Sequence, residues 1–358
     1  MNYRNSFSIG ASTVSADSPT YFIADVAANH DGELSRAKDL IWRAKEAGAD
    51  CAKFQHYVAN RIVSDVGFAD GVGQVSHQAA WEKPVDQIYD QYHTRREWTE
   101  ELLATCRGAD IEFMTTPYDA EAVEMFGDVV NAFKVGSGDI TFHALIEQIA
   151  SKKKPVLIAT GAADMDDTVA AVDAVLKHHD EICVMQCNTN YTGSFDNFRY
   201  VNLNVIQTFA RKWPGMPIGF SDHTPGHSAV LGAVALGARV VEKHFTDDNA
   251  RIGPDHDFAL NPTTWRAMVD STRELEFAMG DGVKRVEENE AETIVIQRRA
   301  MRAATDLAMG TVLTRDHLEA LRPCPAGAVT PAQEDAIIGK TINRDLPRGS
   351  EVVWDILD

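Results

Sequence analysis

The chain has 358 residues, which exceeds an ordinary small domain but fits a barrel of about 250 residues plus a small module. With 44% hydrophobic and 24% charged residues, its composition is typical of a folded protein with a sizeable core and argues against disorder. A net charge of -19 repels polyanions, so it also argues against nucleic acid or an anionic membrane as a partner. A small anionic substrate would need a locally basic pocket.

The sequence carries no sign of a membrane span, of secretion or of a disulfide framework. It has no run of about 20 apolar residues, and residues 1–20 lack a basic stretch followed by an apolar core. The five cysteines form neither an even set nor a CxxC pair, so we interpret them as reduced thiols. We therefore expect a cytoplasmic protein without a membrane partner.

Eight short apolar runs, rich in β-branched residues, recur along the chain. Most are separated by helix-length stretches such as 35–47, 119–126 and 166–177. Eight strands that alternate with helices are typical of a closed parallel (β/α)8 barrel, the TIM barrel, rather than an open sheet. We predict an α/β fold of this class. The runs begin at Tyr21, Cys51, Ile111, Ala132, Pro155, Glu181, Met216 and Arg239.

One connection departs from this regular alternation. The gap between the second and third runs is about twice as long as the others. Its part 63–84 carries Gly, His, Gln and Trp with poor periodicity. We predict a long loop over the mouth of the active site.

The two ends of the chain show different patterns from the barrel segment. Residues 1–20 alternate as a short hairpin, which we expect to close the bottom of the barrel. Beyond about residue 297, short strand-like pieces contain a repeated D-L-x-x-G unit, at Asp306 and at Asp345. The predicted domains are a barrel at 1–285, a linker at 286–296 and a small β-rich module at 297–358.

Polar residues follow nearly every predicted strand. In a TIM barrel the catalytic groups lie at the C-terminal ends of the strands. Polar groups in apolar strands cost free energy unless they are paired, so this concentration indicates a site. In chain order they are Asp25, Asn29, His30, Lys53, Gln55, His56, Thr115, Thr116, Tyr118, Lys134, Ser137, Asp139, Gln186, Asn188, Tyr191, Ser221, Asp222, His223, Glu242, Lys243 and His244.

Two histidines at these strand ends suggest a metal site. His223 and His244 lie at the same level on adjacent strands, with Glu242 and Asp255 nearby. Two imidazoles would leave coordination positions open for water and substrate, as Lewis-acid catalysis requires. Imidazole and oxygen ligands suit Mn, Co, Fe or Zn better than Ca. The alternative is a purely structural role for both histidines.

Two lysines point to an anion site. Lys53 and Lys134 project from separate strands toward the same mouth and, with Thr116 and Ser137, could hold a phosphate against the negative field of the protein. A structural salt bridge would explain either lysine alone. Lys243 should point the opposite way along its strand, which favours a structural role.

With these residues in view, the chain resembles the sialic acid synthase family, namely the bacterial N-acetylneuraminate synthases and their legionaminic and pseudaminic acid relatives. The likeness runs almost end to end and rests on several motifs in the family order. The tail resembles the antifreeze-like, or SAF, domain of the same enzymes. The motifs are IADVAANHDGELSRAKDLI, AGADCAKFQ, TTPYDAEAV, KVGSGD, GFSDHTPG, LGARVVEKHFT and GPDHDFALNP.

The resemblance implies an aldol-like condensation. C3 of phosphoenolpyruvate attacks the aldehyde of an open-chain N-acylmannosamine, water adds at C2, and phosphate leaves by C–O cleavage. The product is a nonulosonic acid; the alternative acceptor is a 2,4-diacetamido-6-deoxy sugar. The family implies a divalent metal, which we take to be Mn2+, with Mg2+ and Co2+ as alternatives.

The resemblance also implies roles for individual residues. Arg322 matches an arginine that crosses from the partner subunit to the N-acyl group, which implies a homodimer that exchanges its SAF domains. His223 and His244 would be metal ligands and Glu242 would position metal-bound water. Phosphoenolpyruvate would be held by Lys53, Thr116, Lys134, Ser137 and Ser221. The sugar would be faced by Gln55, Tyr191 and Asp255, and Asp139 would be a further substrate-binding residue. The catalytic residues would be Asp25, Glu242, His223 and His244.

Several positions depart from the family pattern. Asp25 and Asp139 stand where glutamate is usual, and Ala159 replaces the serine before TG. The usual HCT reads Gln186, Cys187, Asn188. We interpret these changes as a pocket adapted to a different acyl sugar; a drifted activity is the alternative.

Three rival functions remain open on the sequence. A Schiff-base aldolase would use Lys53 or Lys134 to form an imine with a carbonyl substrate. Phosphoenolpyruvate condensing enzymes that act on erythrose or arabinose phosphate share the barrel but lack this tail. A glycan-binding protein without catalysis would need neither the two histidines nor the two lysines.

Overall fold

The structure, a computed structural model, describes residues 3–69, 78, 81 and 83–358. It divides into two compact units, Met1–Gly280 and Asp281–Asp358. The boundary at Gly280 lies close to the predicted end of the barrel domain. No helix of the described chain is long and apolar enough to cross a membrane.

The first unit opens with an antiparallel hairpin and continues into a closed parallel barrel of eight strands. In the barrel each strand pairs with the next in chain order, and the last strand pairs with the first. This confirms the predicted TIM-barrel fold class. The hairpin strands are β1 Ser6–Ile9 and β2 Ser12–Ser15, and the barrel strands are β3 Tyr21–Asp25, β4 Cys51–His56, β5 Glu112–Pro117, β6 Phe133–Val135, β7 Val156–Ala159, β8 Ile182–Cys187, β9 Ile218–Asp222 and β10 Ala238–His244.

The hairpin fills the lower interior of the barrel. Phe7, Ile9 and Val14 are buried in one cluster with inward-facing strand residues such as Met114 and Leu157. An alternating strand presents every second side chain to the same face, which is why Phe7 and Ile9 point inward together. The apolar plug leaves the opposite, C-terminal end of the barrel for polar side chains.

Helices surround the barrel and bury their apolar faces against the outer faces of the strands. Local signals set their ends: the Asp164 carboxylate accepts from the amides of Asp166 and Asp167, and Asn261 caps a helix that starts with Pro262. The helices are α1 Leu34–Glu46, α2 Ala59–Ile62, α3 Asp65–Ala69, α4 Val85–Tyr92, α5 Thr99–Ala109, α6 Ala120–Phe126, α7 His143–Ser151, α8 Met165–Leu176, α9 Val205–Lys212, α10 Ser228–Ala235 and α11 Pro262–Met279.

The long connection between β4 and β5 contains helical turns as well as loop. The described parts of the predicted loop at 63–84 include α3, and residues 70–77, 79, 80 and 82 lie outside the described residues. Gln78 and Trp81 from this connection line the cavity described below.

The second unit is small and rich in β-structure around its own core. It begins with α12 Ala291–Gln297 and pairs β11 Ala300–Ala303 with β12 Leu318–Leu321. The two D-L-x-x-G units meet at Leu307 and Leu346, whose backbones exchange hydrogen bonds of 2.9 and 2.8 Å. The repeated sequence therefore forms a pair of related strand-turn units.

Candidate active site

A cavity of about 420 Å³ opens at the C-terminal ends of the barrel strands. The eight strands, or the residues that directly follow them, all contribute to its lining. It contains all the site residues predicted for the first unit, which are Asp25, Lys53, Gln55, Thr116, Lys134, Ser137, Asp139, Tyr191, Ser221, His223, Glu242, His244 and Asp255.

Two lysines and two carboxylates form the charged floor of this cavity: Asp25, Lys53, Lys134 and Glu242. Lys53 Nζ lies 2.7 Å from Asp25 Oδ2 and 3.8 Å from Glu242 Oε1. Lys134 Nζ lies 3.3 Å from the same Glu242 oxygen. All four residues are buried, so the lysines occur as part of one ionic cluster and not as separate surface pairs.

The opposite charges of the floor stabilise each other's ionised forms. Burial alone would raise the pKa of the Asp25 carboxyl, but Lys53 and His244 outweigh it and the pKa is lowered. Burial alone would lower the pKa of the Lys53 ammonium, but Asp25 and Glu242 outweigh it and the pKa is raised. Asp25 is therefore a carboxylate and Lys53 an ammonium at neutral pH.

The shorter side chain of Asp25 still reaches its neighbours. Its Oδ2 accepts hydrogen bonds from Lys53 Nζ and, at 3.1 Å, from Gln55 Nε2, and its Oδ1 accepts from the Ala27 amide at 3.2 Å. Aspartate in place of the usual glutamate therefore keeps the carboxylate within hydrogen-bond reach of the floor.

The two histidines lie next to each other in the cavity. The ring centroids of His223 and His244 are 5.3 Å apart, as expected from adjacent strands in register. His223 Nδ1 lies 3.0 Å from the Asn188 carbonyl oxygen, so a proton on Nδ1 leaves Nε2 with a free lone pair. Such a carbonyl partner behind an imidazole is typical of metal-ligating histidines.

Two buried polar atoms at this place lack a hydrogen-bond partner among the described residues: Glu242 Oε2 and His244 Nδ1. Buried polar atoms normally have hydrogen-bond partners, so Glu242 Oε2 is placed to contact a bound group, whereas His244 Nδ1 has Asp255 Oδ2 at 3.5 Å. The described residues contain no cluster of three or more His, Cys, Asp or Glu that could hold a metal ion. His223 and His244 are therefore the residues of this cavity that remain as candidates to hold a cation.

The loop that carries Asp255 closes over His244. Asp255 Oδ2 lies 3.5 Å from His244 Nδ1 and accepts from the Ala28 amide at 3.2 Å. The neighbouring His256 lies 2.9 Å from Asp31, which also contacts Arg251. These contacts fix the loop against the turn after β3.

Residues after β6 and β7 form another side of the cavity. Ser137 Oγ accepts from the Gly161 amide at 3.0 Å. A Cβ on Gly161 would lie 1.7 Å from Thr189 Oγ1, so a larger residue here would have to displace the Thr189 side chain. Ala159 also lines this side and leaves space where a serine is usual in the family. Burial raises the pKa of the nearby Asp139 carboxyl to about 6.

Other polar strand-end residues turn away from the cavity. Asn29 donates to the Phe245 carbonyl, and Gln186 donates to the Val201 carbonyl at 2.8 Å. His56 Nδ1 lies 2.7 Å from Thr115 Oγ1, outside the lining. Lys243 pairs with Asp222 at 2.7 Å, in accord with its expected structural role.

The cavity also has a largely apolar side; the sequence analysis placed the connection 63–84 over the mouth but did not name these residues as part of the site. Seven lining residues come from the connection after β4, and α4 supplies three of them, spaced so that they share one helix face. This spacing of large side chains after Pro84 is the sequence feature that could have indicated a helix face lining the cavity. The seven are Tyr57, Ile62, Gln78, Trp81, Ile88, Tyr89 and Tyr92.

Arg322, the remaining predicted site residue, belongs to the second unit. It is exposed and follows β12. Arg302, which is buried, donates to the carbonyl of the adjacent Pro323 at 2.7 Å and so holds this stretch of chain in place.

The fold and the cavity define a TIM-barrel enzyme with a small C-terminal domain. Residues 40–284 match the family model described as "NeuB family", and residues 298–357 match the model described as "SAF domain". The chain therefore belongs to the NeuB family, whose synthases condense phosphoenolpyruvate with sugars. It is a phosphoenolpyruvate-dependent transferase that forms carbon–carbon bonds.

Known proteins resemble the chain over nearly its whole length. The N,N'-diacetyllegionaminic acid synthase of Legionella pneumophila is 31% identical over 351 residues, 94% of each chain. The human N-acetylneuraminate-9-phosphate synthase is 30% identical over 350 residues, 96% of this chain and 94% of that one. Among solved structures, the Bacillus subtilis spore coat polysaccharide biosynthesis protein SpsE is 29% identical with a TM-score of 0.65, covering 99% of both chains.

Proposed function

We propose that the chain condenses phosphoenolpyruvate with an N-acylated mannosamine-type sugar to give a nonulosonic acid and phosphate. The observation that carries this proposal is the charged floor beside two adjacent histidines, all within one cavity of the barrel. A legionaminic- or pseudaminic-type reaction with a 2,4-diacetamido-6-deoxy sugar is the alternative within the same chemistry.

The floor suits the anionic substrate. The ammonium groups of Lys53 and Lys134 face the cavity from neighbouring parts of the barrel, and the hydroxyl groups of Thr116, Ser137 and Ser221 surround them. Cationic and hydroxyl donors in a buried site bind phosphate and carboxylate oxygens more strongly than they would in water. We assign these residues to phosphoenolpyruvate.

The charge balance of the floor supports a divalent cation. The two lysines are matched by the carboxylates of Asp25 and Glu242, so the four groups together carry no net positive charge. A multiply charged anion therefore needs a further positive charge. We propose that His223 and His244 hold Mn2+, with Mg2+ or Co2+ as alternatives. When bound, such an ion acts as a Lewis acid on a carbonyl oxygen and lowers the pKa of coordinated water.

Two carboxylates of the floor can take part in proton transfer, one as a proton acceptor and one by orienting water. Asp25 is ionised and oriented by Lys53, so it can accept a proton from a substrate hydroxyl or water. Glu242 Oε1 is held by Ser221 at 3.2 Å, which leaves the unpartnered Oε2 to orient a water molecule. Gln55, Asp139, Tyr191 and Asp255 are the lining residues that we assign to the sugar.

The charge state of Lys53 argues against Lys53 as the imine-forming lysine of a Schiff-base aldolase. Imine formation needs a neutral amine, and the neighbouring carboxylates raise the pKa of Lys53. We further propose that the protein acts in the cytoplasm as a homodimer that exchanges its SAF domains, so that Arg322 of one subunit serves the cavity of its partner.

The experiment is a reaction of purified protein with phosphoenolpyruvate, Mn2+ and either N-acetylmannosamine or the 2,4-diacetamido-6-deoxy analogue. We expect phosphate release and a product whose mass equals phosphoenolpyruvate plus sugar plus one water minus phosphoric acid. Both should be lost after chelation and recovered when Mn2+ is returned. Borohydride should trap no covalent adduct. Absence of product from every sugar with metal bound would contradict the proposal.

A matched pair of lysine variants tests the anion site. Lys53→Met and Lys243→Met each remove a buried ammonium that lies 2.7 Å from a carboxylate, so each should cost about 3 kcal/mol of stability or more. Of these two lysines, Lys53 lines the cavity and Lys243 does not. Calorimetry at a temperature where both variants are folded should show weakened phosphoenolpyruvate binding for Lys53→Met alone; equal weakening would refute the assignment.

A further inference from the structure

The largely apolar side of the cavity has no part in the chemistry derived above. We call its side chains from one stretch of the chain the 57–92 wall: Tyr57, Ile62, Trp81, Ile88, Tyr89 and Tyr92, joined by Gln78. The rings pack against each other, with centroids 5.3 Å apart for Tyr57 and Tyr89 and 6.4 Å apart for Trp81 and Tyr89. Gln78 Nε2 donates to Tyr89 Oη at 3.3 Å.

The wall lies farther out along the barrel axis than the charged floor. Lys53, Gln55 and Tyr57 all line the cavity, and alternate residues of an extended strand lie about 6.6 Å apart. Thr116 and Tyr118 repeat the same order on the adjacent strand, and the rings of Tyr57 and Tyr118 meet edge to face at 5.8 Å. The polar floor therefore passes into an aromatic layer toward the mouth.

This order fixes which end of the acceptor sugar meets the wall. Phosphoenolpyruvate needs the ammonium groups of the floor, and the sugar aldehyde must approach phosphoenolpyruvate. The far end of the open-chain sugar, with C6, therefore extends outward to the level of the wall. Aromatic faces and isoleucine side chains suit C–H groups, methyl groups and acyl groups in that position.

The described residues of the wall offer no positive charge to a phosphate. Among the lining residues that the structure describes, the lysines and arginines are Lys53 and Lys134, both in the floor. Segment 57–92 contains five acidic residues and two basic ones, Arg61 and Lys83. Arg61 pairs with Glu121 at 2.9 Å, and Lys83 bonds to Gln91 at 2.8 Å, so both are engaged away from the cavity. A phosphate on C6 would be desolvated without a counter-charge.

We propose that the 57–92 wall is a specificity subsite for a neutral, partly apolar end of the acceptor, so that the chain uses an unphosphorylated sugar and tolerates a 6-deoxy carbon. This inference rests on the proposed function and narrows its substrate class. It separates the chain from the human relative, whose name specifies a 9-phosphate product.

The test compares N-acetylmannosamine, its 6-phosphate and the 2,4-diacetamido-6-deoxy sugar, with phosphoenolpyruvate and Mn2+ held constant. We expect kcat/KM for the 6-phosphate to be lower by about 100-fold or more than for N-acetylmannosamine. The 6-deoxy sugar should be used at least as well as N-acetylmannosamine. Equal or better use of the 6-phosphate would overturn the inference and leave the proposed function standing, whereas no turnover of any sugar would overturn both.

Wall variants show whether the wall sets this preference. Tyr89→Ala should raise KM for the sugar about tenfold and leave KM for phosphoenolpyruvate unchanged, whereas Tyr89→Phe keeps the ring and should behave almost as wild type. Ile88→Arg adds a positive charge to the wall. It should reduce the difference in kcat/KM between N-acetylmannosamine and its 6-phosphate. Phe277→Ser, at an aromatic residue that is 90% exposed on α11, serves as the control. An unchanged sugar KM in Tyr89→Ala, or unchanged discrimination in Ile88→Arg, would refute the subsite.

Discussion

Asp139, a side chain that lines the cavity, makes the stability of the protein depend on pH. Burial raises the pKa of its carboxyl from 3.8 to about 6, so the folded protein holds the proton more tightly than the unfolded chain does. This contribution to stability is fully present below pH 3.8 and is lost as the pH rises through about 6.

Asp139→Asn should therefore remove one pH-dependent step in stability. We expect the difference in melting temperature between wild type and the variant to change between pH 4 and pH 7, with the wild type losing more as the pH rises, and to level off above about pH 6. The measurement is thermal unfolding of both proteins across this range. Parallel curves would show that the Asp139 carboxyl is not perturbed.

At the level of residues, the sequence identified the polar lining because strand ends of a barrel converge on one face. It could not tell which of two neighbouring polar residues points inward. Gln186 and His56 lie near the ends of their strands as Gln55 does, yet Gln186 bonds to the Val201 carbonyl and His56 lies outside the lining. The inward or outward choice depends on where each strand bends or ends, which tertiary packing decides.

At the level of elements, the eight strands could be predicted from the sequence because each is buried on both faces and so appears as a short apolar run. The helices of the connection after β4 could not be predicted in the same way. The helix α4 has no buried residue, and its face with Ile88, Tyr89 and Tyr92 lines the cavity instead of the core. The spacing of apolar side chains along a helix shows that one face is apolar. It does not show whether that face packs against the core or lines a cavity.

The paired repeat of the second unit offers a symmetric test. The Asp345 carboxylate accepts from the Met309 amide, and the Asp306 carboxylate accepts from the Arg348 amide, each at 2.8 Å. Each aspartate thus caps the turn of the other unit. A lost bond of this kind costs about 1 kcal/mol.

Asp345→Ala should therefore speed hydrogen exchange at the Met309 amide, and Asp306→Ala should do so at the Arg348 amide. In each variant the other amide keeps most of its protection because its own acceptor is intact. Exchange measured by NMR on the full chain checks this reciprocity. Equal loss at both amides in either variant would mean that the two turns open as one unit.

For the whole molecule, the proposed exchange of SAF domains predicts that two inactive chains can complement each other. His223→Gln damages the barrel but keeps Arg322, whereas Arg322→Ala damages the second unit but keeps the barrel. In a mixed dimer with exchanged domains, one cavity carries both defects and the other carries none. Because random mixing gives half mixed dimers with one intact cavity each, activity should return to about a quarter of wild type.

The control for this experiment is a chain that carries both substitutions, mixed with either single variant under the same dissociation and reassociation conditions. Neither mixture produces an intact cavity under domain exchange, so activity should stay at the level of the single variants. Native mass spectrometry should verify that mixed dimers form. If they form and activity does not return, Arg322 does not act across the dimer, and the barrel residues alone must account for recognition of the acyl group.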